Sequence, residues 1–386
     1  MTTCDVAIIG AGVMGAAAAC ELAEEGSRRV VLFDMCALPN PRAASFDHSK
    51  VFRSAYPDAF YVRLAVESLG LWRALETETR LQLLTAAGLL LLGRRRPSLE
   101  TDSYDALRSM GLEAELLESR AAARRFPQFN PDAFDFAVFD PSGAIIHAER
   151  AVRALLELAT RRGVNVLARD AVTAIENTGQ NGKIVVTTES GASFECAQAV
   201  AASGPWTRKL LPELAGELTT TRQEIVYFDP AIGDARGREF DAGRFPIFAD
   251  FESGYYGFPV HHGRAMKIAN HNKGAEVDPD SMDDTVGEEF IAGCREFFTR
   301  FIPGLANARV ALTRVCVYNN TPDDDFILDW HPQLDNVLIA TGFSGHGFKF
   351  APIIGRIAAE LIRDGQTAHN IDRFALSRFA KRRTGE

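Results

Sequence analysis

The sequence predicts an α/β protein in which a dinucleotide-binding domain is interleaved with a second, strand-rich domain. Three observations carry that prediction. A short apolar strand from Asp5 to Ile9 runs into Gly10-Ala11-Gly12-Val13-Met14-Gly15 and then an alanine-rich helix ending near Glu25. A second apolar run, Val30 to Phe33, closes on Asp34 about 20 residues downstream of the turn. Strand and helix patterns then alternate again after Glu149, beyond a stretch of different character.

Each element has a physical reason. Gly10 permits a tight turn, Gly12 lets the backbone approach a pyrophosphate, and Gly15 lets helix and strand pack closely. The helix start offers free N–H groups and the positive end of its dipole, and Asp34 can accept from a ribose hydroxyl. A Pro/Ala-rich loop leads through Ser45-Phe-Asp-His-Ser-Lys-Val-Phe-Arg53, after which Asp58 is expected to cap a helix with Tyr61, Leu64, Ala65, Trp72 and Leu75 on its apolar face. The run Gly88 to Gly93 reads as a strand of a different layer and opens a mixed segment to about Asp140. Next come a helix from Glu149 to Arg162 and strands at 164–167, 171–175 and 199–203, and then a β-rich stretch over 220–260 that includes Glu224–Phe228 and Gly254–Pro259. A helix from Val286 to Phe301, a buried strand ending at Gly342 and a helix from Pro352 to Asp364 complete the pattern. The expected division is 1–85, 141–215 and 311–386 for the nucleotide domain, and 86–140 with 216–310 for the second. Two domains suit 386 residues, a length beyond which a single core usually stops growing.

Composition narrows the functional classes. The 46% hydrophobic and 24% charged content is that of an ordinary globular protein, and no apolar run approaches the ~18 residues needed to cross a bilayer. A net charge of -9 leaves only short basic clusters at Arg94–Arg96 and Lys381–Arg383, so neither nucleic acid nor membrane is an expected partner. Six scattered cysteines without a C-x-x-C pair argue against a metal site, and with no leader pattern they suggest a reducing, cytoplasmic setting in which each is a small buried hydrophobe. His261 and His262 read as core histidines, and Asp323–Asp325 as a solvated turn.

The opening glycine motif, Ser49-Lys50-Val-Phe-Arg53, Tyr255-Tyr256-Gly-Phe-Pro259 with Lys267 and His271, Cys316-Val-Tyr318 and the stretch Gly342 to Phe350 together resemble the sarcosine oxidase and amadoriase-like amine oxidases of the D-amino acid oxidase superfamily. The resemblance covers nearly the whole chain. It implies a Rossmann-like FAD-binding domain inserted with a substrate domain whose antiparallel sheet roofs the flavin. By position Cys316 matches the cysteine that bonds covalently to the flavin, a step that a nearby cation would assist, with Arg314 close in sequence. Lys267 matches a lysine whose charge assists oxygen reduction, while Arg53 and Lys349 match the cations that bind the substrate carboxylate. Tyr256 and His271 match residues that orient the amine, and Tyr318 shares the strand face of Cys316. The FAD contacts implied are Gly10, Ala11, Gly12, Val13, Met14, Gly15, Asp34, Ser45, Ser49, Lys50, Val172, Gly342, Gly345, His346 and Gly347, with no metal. Lys50, and Phe46 ahead of it, depart from the sarcosine enzyme, and a lysine at this position is similar to the amadoriases.

The expectation is therefore an FAD-dependent oxidase, with monomer favoured, that acts on a carboxylate-bearing secondary amine (N-alkyl, N-glycated or cyclic) and uses oxygen to release hydrogen peroxide. The rivals are a nicotinamide-dependent opine-type dehydrogenase, which the opening motif alone permits, and a flavin-binding subunit of a larger complex.

Overall fold

The computed structural model describes residues 2–24, 26, 28–178, 182–230, 235–261, 263 and 265–383; His262 and the side chains of Lys381–Arg383 lie outside the described set. Among the described residues, two eight-stranded sheets and one three-stranded sheet organise the chain. In the first sheet a parallel centre runs Val337–Thr341, Ser193–Ala201, Thr2–Ile9, Val30–Asp34 and Asn165–Ala168. Antiparallel strands at Ile327–Trp330 and at Val172–Asn177 with Ile184–Thr188 extend it. The opening strand sits mid-sheet, and four of its last five residues are buried, as expected of parallel strands covered on both faces.

The helix Val13–Ala23 is buried except at Glu21 because it lies between the sheet and the C-terminal helix Ala351–Asp364. Its alanines allow that close approach. A Cβ on Gly355 would come within 2.7 Å of the Ala17 backbone, so glycine is required where the two helices touch. The predicted cap also forms, with the Asp58 carboxylate accepting from Phe60 N at 2.7 Å at the start of the helix Ala59–Thr79.

The second large sheet runs in the order Arg309–Asn320, Thr219–Asp229, Met266–Asn270, Tyr255–Gly257, Ile247–Ala249, Leu89–Gly93, Phe136–Asp140 and Glu115–Glu118. All its pairings are antiparallel except Ile247–Ala249 with Leu89–Gly93. The strand Arg309–Asn320 crosses the expected boundary at 311, pairs along its whole length with Thr219–Asp229, and delivers Val317, Tyr318 and Asn319 to the cavity on the nucleotide side. We propose the two-domain division with this strand shared, because one strand can belong to a sheet through its backbone and to a neighbouring site through its side chains. A small sheet of Lys50–Phe52, Ala144–Ile146 and Leu84–Ala86 anchors the loop that passes between the two parts.

Candidate functional site

Two cavities meet at the junction of the sheets. The first, of about 600 Å³, is lined by Gly10, Gly12, Val13, Met14, Asp34, Ser45, Lys50, Val172, Tyr318, Gly342, Gly345 and Gly347, all of them expected cofactor or substrate residues. Gly10 has φ +102°, and a Cβ there would stand 2.4 Å from the Ala202 carbonyl oxygen. A Cβ on Gly15 would fall 1.9 Å from the Gly10 carbonyl oxygen, so both positions admit only glycine. At the start of the helix Val13–Ala23, Gly12 has no side chain to cap it, Ser45 Oγ accepts from Val13 N at 3.3 Å, and Gly12, Val13 and Met14 line the cavity. Asp34 accepts from Ala11 N at 3.0 Å, Cys36 N at 2.9 Å and Asn40 Nδ2 at 2.9 Å, while burial pushes its carboxyl above the usual range. This cradle fits the pyrophosphate and ribose of a dinucleotide such as FAD.

The second cavity, of about 370 Å³, shares Lys50, Tyr318, Gly345 and Phe348 with the first and is otherwise lined by the second sheet and the C-terminal turn. Arg53, Lys349, Tyr256, His271, His346 and Lys267 all reach it. The Arg53 guanidinium stacks on Tyr56 at 3.8 Å from the ring centroid and donates to the Ala55 carbonyl. Lys349 Nζ donates to Tyr56 Oη at 2.9 Å and to the His346 carbonyl at 2.6 Å. Among the described residues neither cation pairs with an acidic side chain. Burial and the charge of Arg53 hold the Lys349 ammonium well below its ordinary value, the sign of positive charge without a counter-ion. Lys349 is also positioned from behind, since Ser68 Oγ and Trp72 Nε1 donate to its carbonyl at 2.6 and 2.8 Å. Trp72, expected in the core, is fully buried and fixes this turn as well.

His271 opens to the cavity but is crowded by protein, and that crowding together with Arg53 and Lys349 pushes its imidazolium down to about 4. Its ring lies 5.7 Å from that of Tyr318, whose hydroxyl is 3.4 Å from the Tyr256 hydroxyl. His346 lies on this side and not in the nucleotide cavity, with Nδ1 3.2 Å from Tyr56 Oη and Nε2 2.9 Å from the Asp324 carbonyl. The acidic run at 323–325 is more than a solvated turn: it lines the same cavity, Asp325 receives Tyr61 Oη at 2.8 Å and Arg373 Nε at 2.8 Å, and Asp324 pairs with Lys273 at 2.7 Å. Three consecutive acids read as solvated in sequence because their partners are distant along the chain.

Between the cavities lies a residue that sequence reasoning passed over. The fully buried Asp47 carboxylate is 2.6 Å from Lys267 Nζ and 3.5 Å from Lys50 Nζ, and it accepts from Tyr227 Oη and from His48 N, each at 2.8 Å. Burial alone would raise its carboxyl, but Lys267 and Lys50 outweigh that and hold it far below the carboxylate range. The Lys267 ammonium is pushed down by burial and by the second lysine, and it also donates to the Ser49 carbonyl at 2.9 Å. Lys50 Nζ lies 3.6 Å from Cys316 Sγ, so the cation beside that sulfur is Lys50, while Arg314 stacks on Phe46 at 4.7 Å. Cys316 is buried one residue before the cavity wall begins at Val317. Asp47 and Tyr56 both lie within or beside the quoted loop, and an acid three residues before a lysine was the available signal for the first.

Residues 5–361 match the family model described as FAD dependent oxidoreductase. The chain is 34% identical over 385 residues to monomeric sarcosine oxidase of Bacillus sp. (strain NS-129), covering 97% of each chain. It is 30% identical over 383 residues to N-methyl-L-tryptophan oxidase of Yersinia pestis (strain Pestoides F), covering 97% of this chain and 99% of the other. Among solved structures, L-proline dehydrogenase from P. horikoshii superposes with a TM-score of 0.85 over 98% of both chains at 23% identity, a likeness of fold.

Asp47→Asn is expected to destabilise the protein by ~3–5 kcal/mol near neutral pH, because it leaves two buried ammonium groups without their carboxylate. The loss should be smaller in Asp47→Asn/Lys50→Met, where one cation is also gone. Since the Asp47 carboxyl is depressed on folding, its contribution is complete above the ordinary carboxylate range and fades as the pH falls below it, so the variant and the parent should converge in acid. Urea unfolding of both variants across pH measures this.

Proposed function

The chain belongs to the FAD dependent oxidoreductase family as an FAD-dependent amine oxidase, and we propose that its substrate is a secondary amine bearing a carboxylate, with hydrogen peroxide as a product. The observation that carries this reading is the pair Arg53 and Lys349, two cations without an acidic partner among the described residues, facing a cavity that adjoins the nucleotide cradle. An uncompensated pair of this kind is an anion receptor, and a planar guanidinium beside an ammonium suits a carboxylate. The names of the similar proteins, sarcosine oxidase and N-methyl-L-tryptophan oxidase, agree with an N-alkyl amino acid.

FAD bound in the first cavity would supply the two-electron redox chemistry. The chain's own residues supply position and charge. Arg53 and Lys349 would hold the carboxylate and turn the amine toward the shared wall at Tyr318 and Gly345. His271, neutral at pH 7 because its imidazolium is pushed down to about 4, can accept a hydrogen bond from the amine without adding a third positive charge. Lys267, fixed by Asp47 and the Ser49 carbonyl, would keep a positive charge where oxygen is reduced. Lys50 Nζ, at 3.6 Å from Cys316 Sγ, places a positive charge beside the sulfur through which FAD would be attached.

Peroxide release measured over N-methyl, N-glycated and cyclic amino acids tests the reading as a whole, and release from none of them would overturn it. Arg53→Ala should weaken binding of an accepted acid by ~2–5 kcal/mol, while the corresponding ester loses little; equal losses for acid and ester would assign Arg53 to the fold. With Lys267→Met, oxygen consumption at saturating amine should drop by ~10²–10³, and bleaching by the same amine under nitrogen should change far less. Acid precipitation of protein made with ample flavin should leave the pellet yellow, with the flavin on a peptide containing Cys316, and Cys316→Ala should release all of it to the supernatant.

A further inference from the structure

The first sheet contains a side-chain pair that the amine-oxidising site does not use. Cys4, on the opening strand, and Cys196, on the neighbouring strand Ser193–Ala201, are register partners in a parallel ladder. Their Sγ atoms are 2.7 Å apart, and both residues are buried. Adjacent strands run ~4.8 Å apart, inside the ~4.4–6.8 Å range of Cα separations that disulfides span, so the backbone already has the spacing a bond requires. The gap from the observed sulfur separation to a bond of about 2.05 Å is less than an ångström. No other cysteine has this arrangement among the described residues: Cys20 Sγ donates to the Leu155 carbonyl at 2.9 Å, and Cys316 stands beside Lys50.

We infer that Cys4 and Cys196 form a dithiol that hydrogen peroxide closes to a cross-strand disulfide. The step balances as two thiols and one peroxide giving one S–S bond and two waters. The Cys4 thiolate attacks a peroxide oxygen, the O–O bond breaks, and the distal oxygen leaves as water while Cys4 becomes a sulfenic acid. The Cys196 sulfur then displaces that hydroxyl, losing its proton to form the second water. Cys4 is the natural attacking group, since its contact with Cys196 holds its thiol below the ordinary value and the exposed residues Thr2 and Thr3 precede it on the strand. The bond would staple the opening strand to its neighbour at the end away from Gly10, closing a loop that takes in most of the first half of the chain. This inference is independent of the amine-oxidase reading, because the peroxide is a supplied reagent.

The test treats purified holoenzyme with hydrogen peroxide, alkylates the remaining thiols in denaturant, and maps unreduced peptides by mass. The expected result is a peptide joining Cys4 to Cys196, lighter by two hydrogens, cleaved by dithiothreitol and accompanied by a rise in the unfolding temperature that the same reductant reverses. In Cys196→Ser the link should be absent and Cys4 should carry added oxygen instead. Cys4→Ala, which places no hydroxyl in the buried slot, should leave Cys196 fully alkylated. Recovery of both cysteines as alkylated thiols while Cys36 oxidises, or a link from either to a different cysteine, would overturn the inference.

Discussion

The architecture of the site depends on one buried carboxylate. Asp47 lies on the loop that leaves the first sheet, and its partners Lys267 and Tyr227 are cross-strand neighbours in the second large sheet. A carboxylate sealed from water persists only when cations and donors replace its hydration, and here two ammonium groups, a phenol and a backbone N–H do so. The pairing therefore ties this loop to the second sheet. It also aims three side chains of the proposed site, since Lys267 is held directly, Lys50 is drawn toward Cys316, and Arg53 follows Lys50 by three residues, just past the end of the same short strand.

The neighbouring cavity shows the opposite arrangement. Arg53 and Lys349 are brought together with aromatic rings and carbonyls for company, while the acids lining the same space are committed elsewhere, Asp325 to Arg373 and Tyr61, and Asp324 to Lys273. Positive charge concentrated in this way is costly to the fold, and the carboxylate proposed above would relieve it. The cost is visible in the lowered Lys349 ammonium and in the His271 imidazolium, both held toward their neutral forms by the same surroundings. The scaffold behind them is rigid: Trp72 and Ser68 clamp the Lys349 carbonyl, and Gly345 exists as glycine because a Cβ would strike the Tyr318 ring at 2.3 Å.

Local features were legible in the sequence. The glycine turn, the capping Asp58, the opening strands and the helix near the C-terminus are each specified by residues close together, where steric limits and hydrogen-bond needs act over a few positions. The nucleotide cradle is of this kind, and the resemblance carried by short motifs extended the reading to Arg53, Lys267, Cys316 and Lys349. What the sequence could not decide was pairing across the chain. Whether Arg314 or Lys50 stands beside Cys316, whether Asp323–Asp325 face water or a cavity, on which side His346 falls, and that Cys4 meets Cys196 all depend on segments separated by tens to hundreds of residues. Periodicity reports which face of a strand a side chain occupies, but the partner across that face is chosen only when the sheets assemble, because burial and charge compensation act between surfaces and not along the chain.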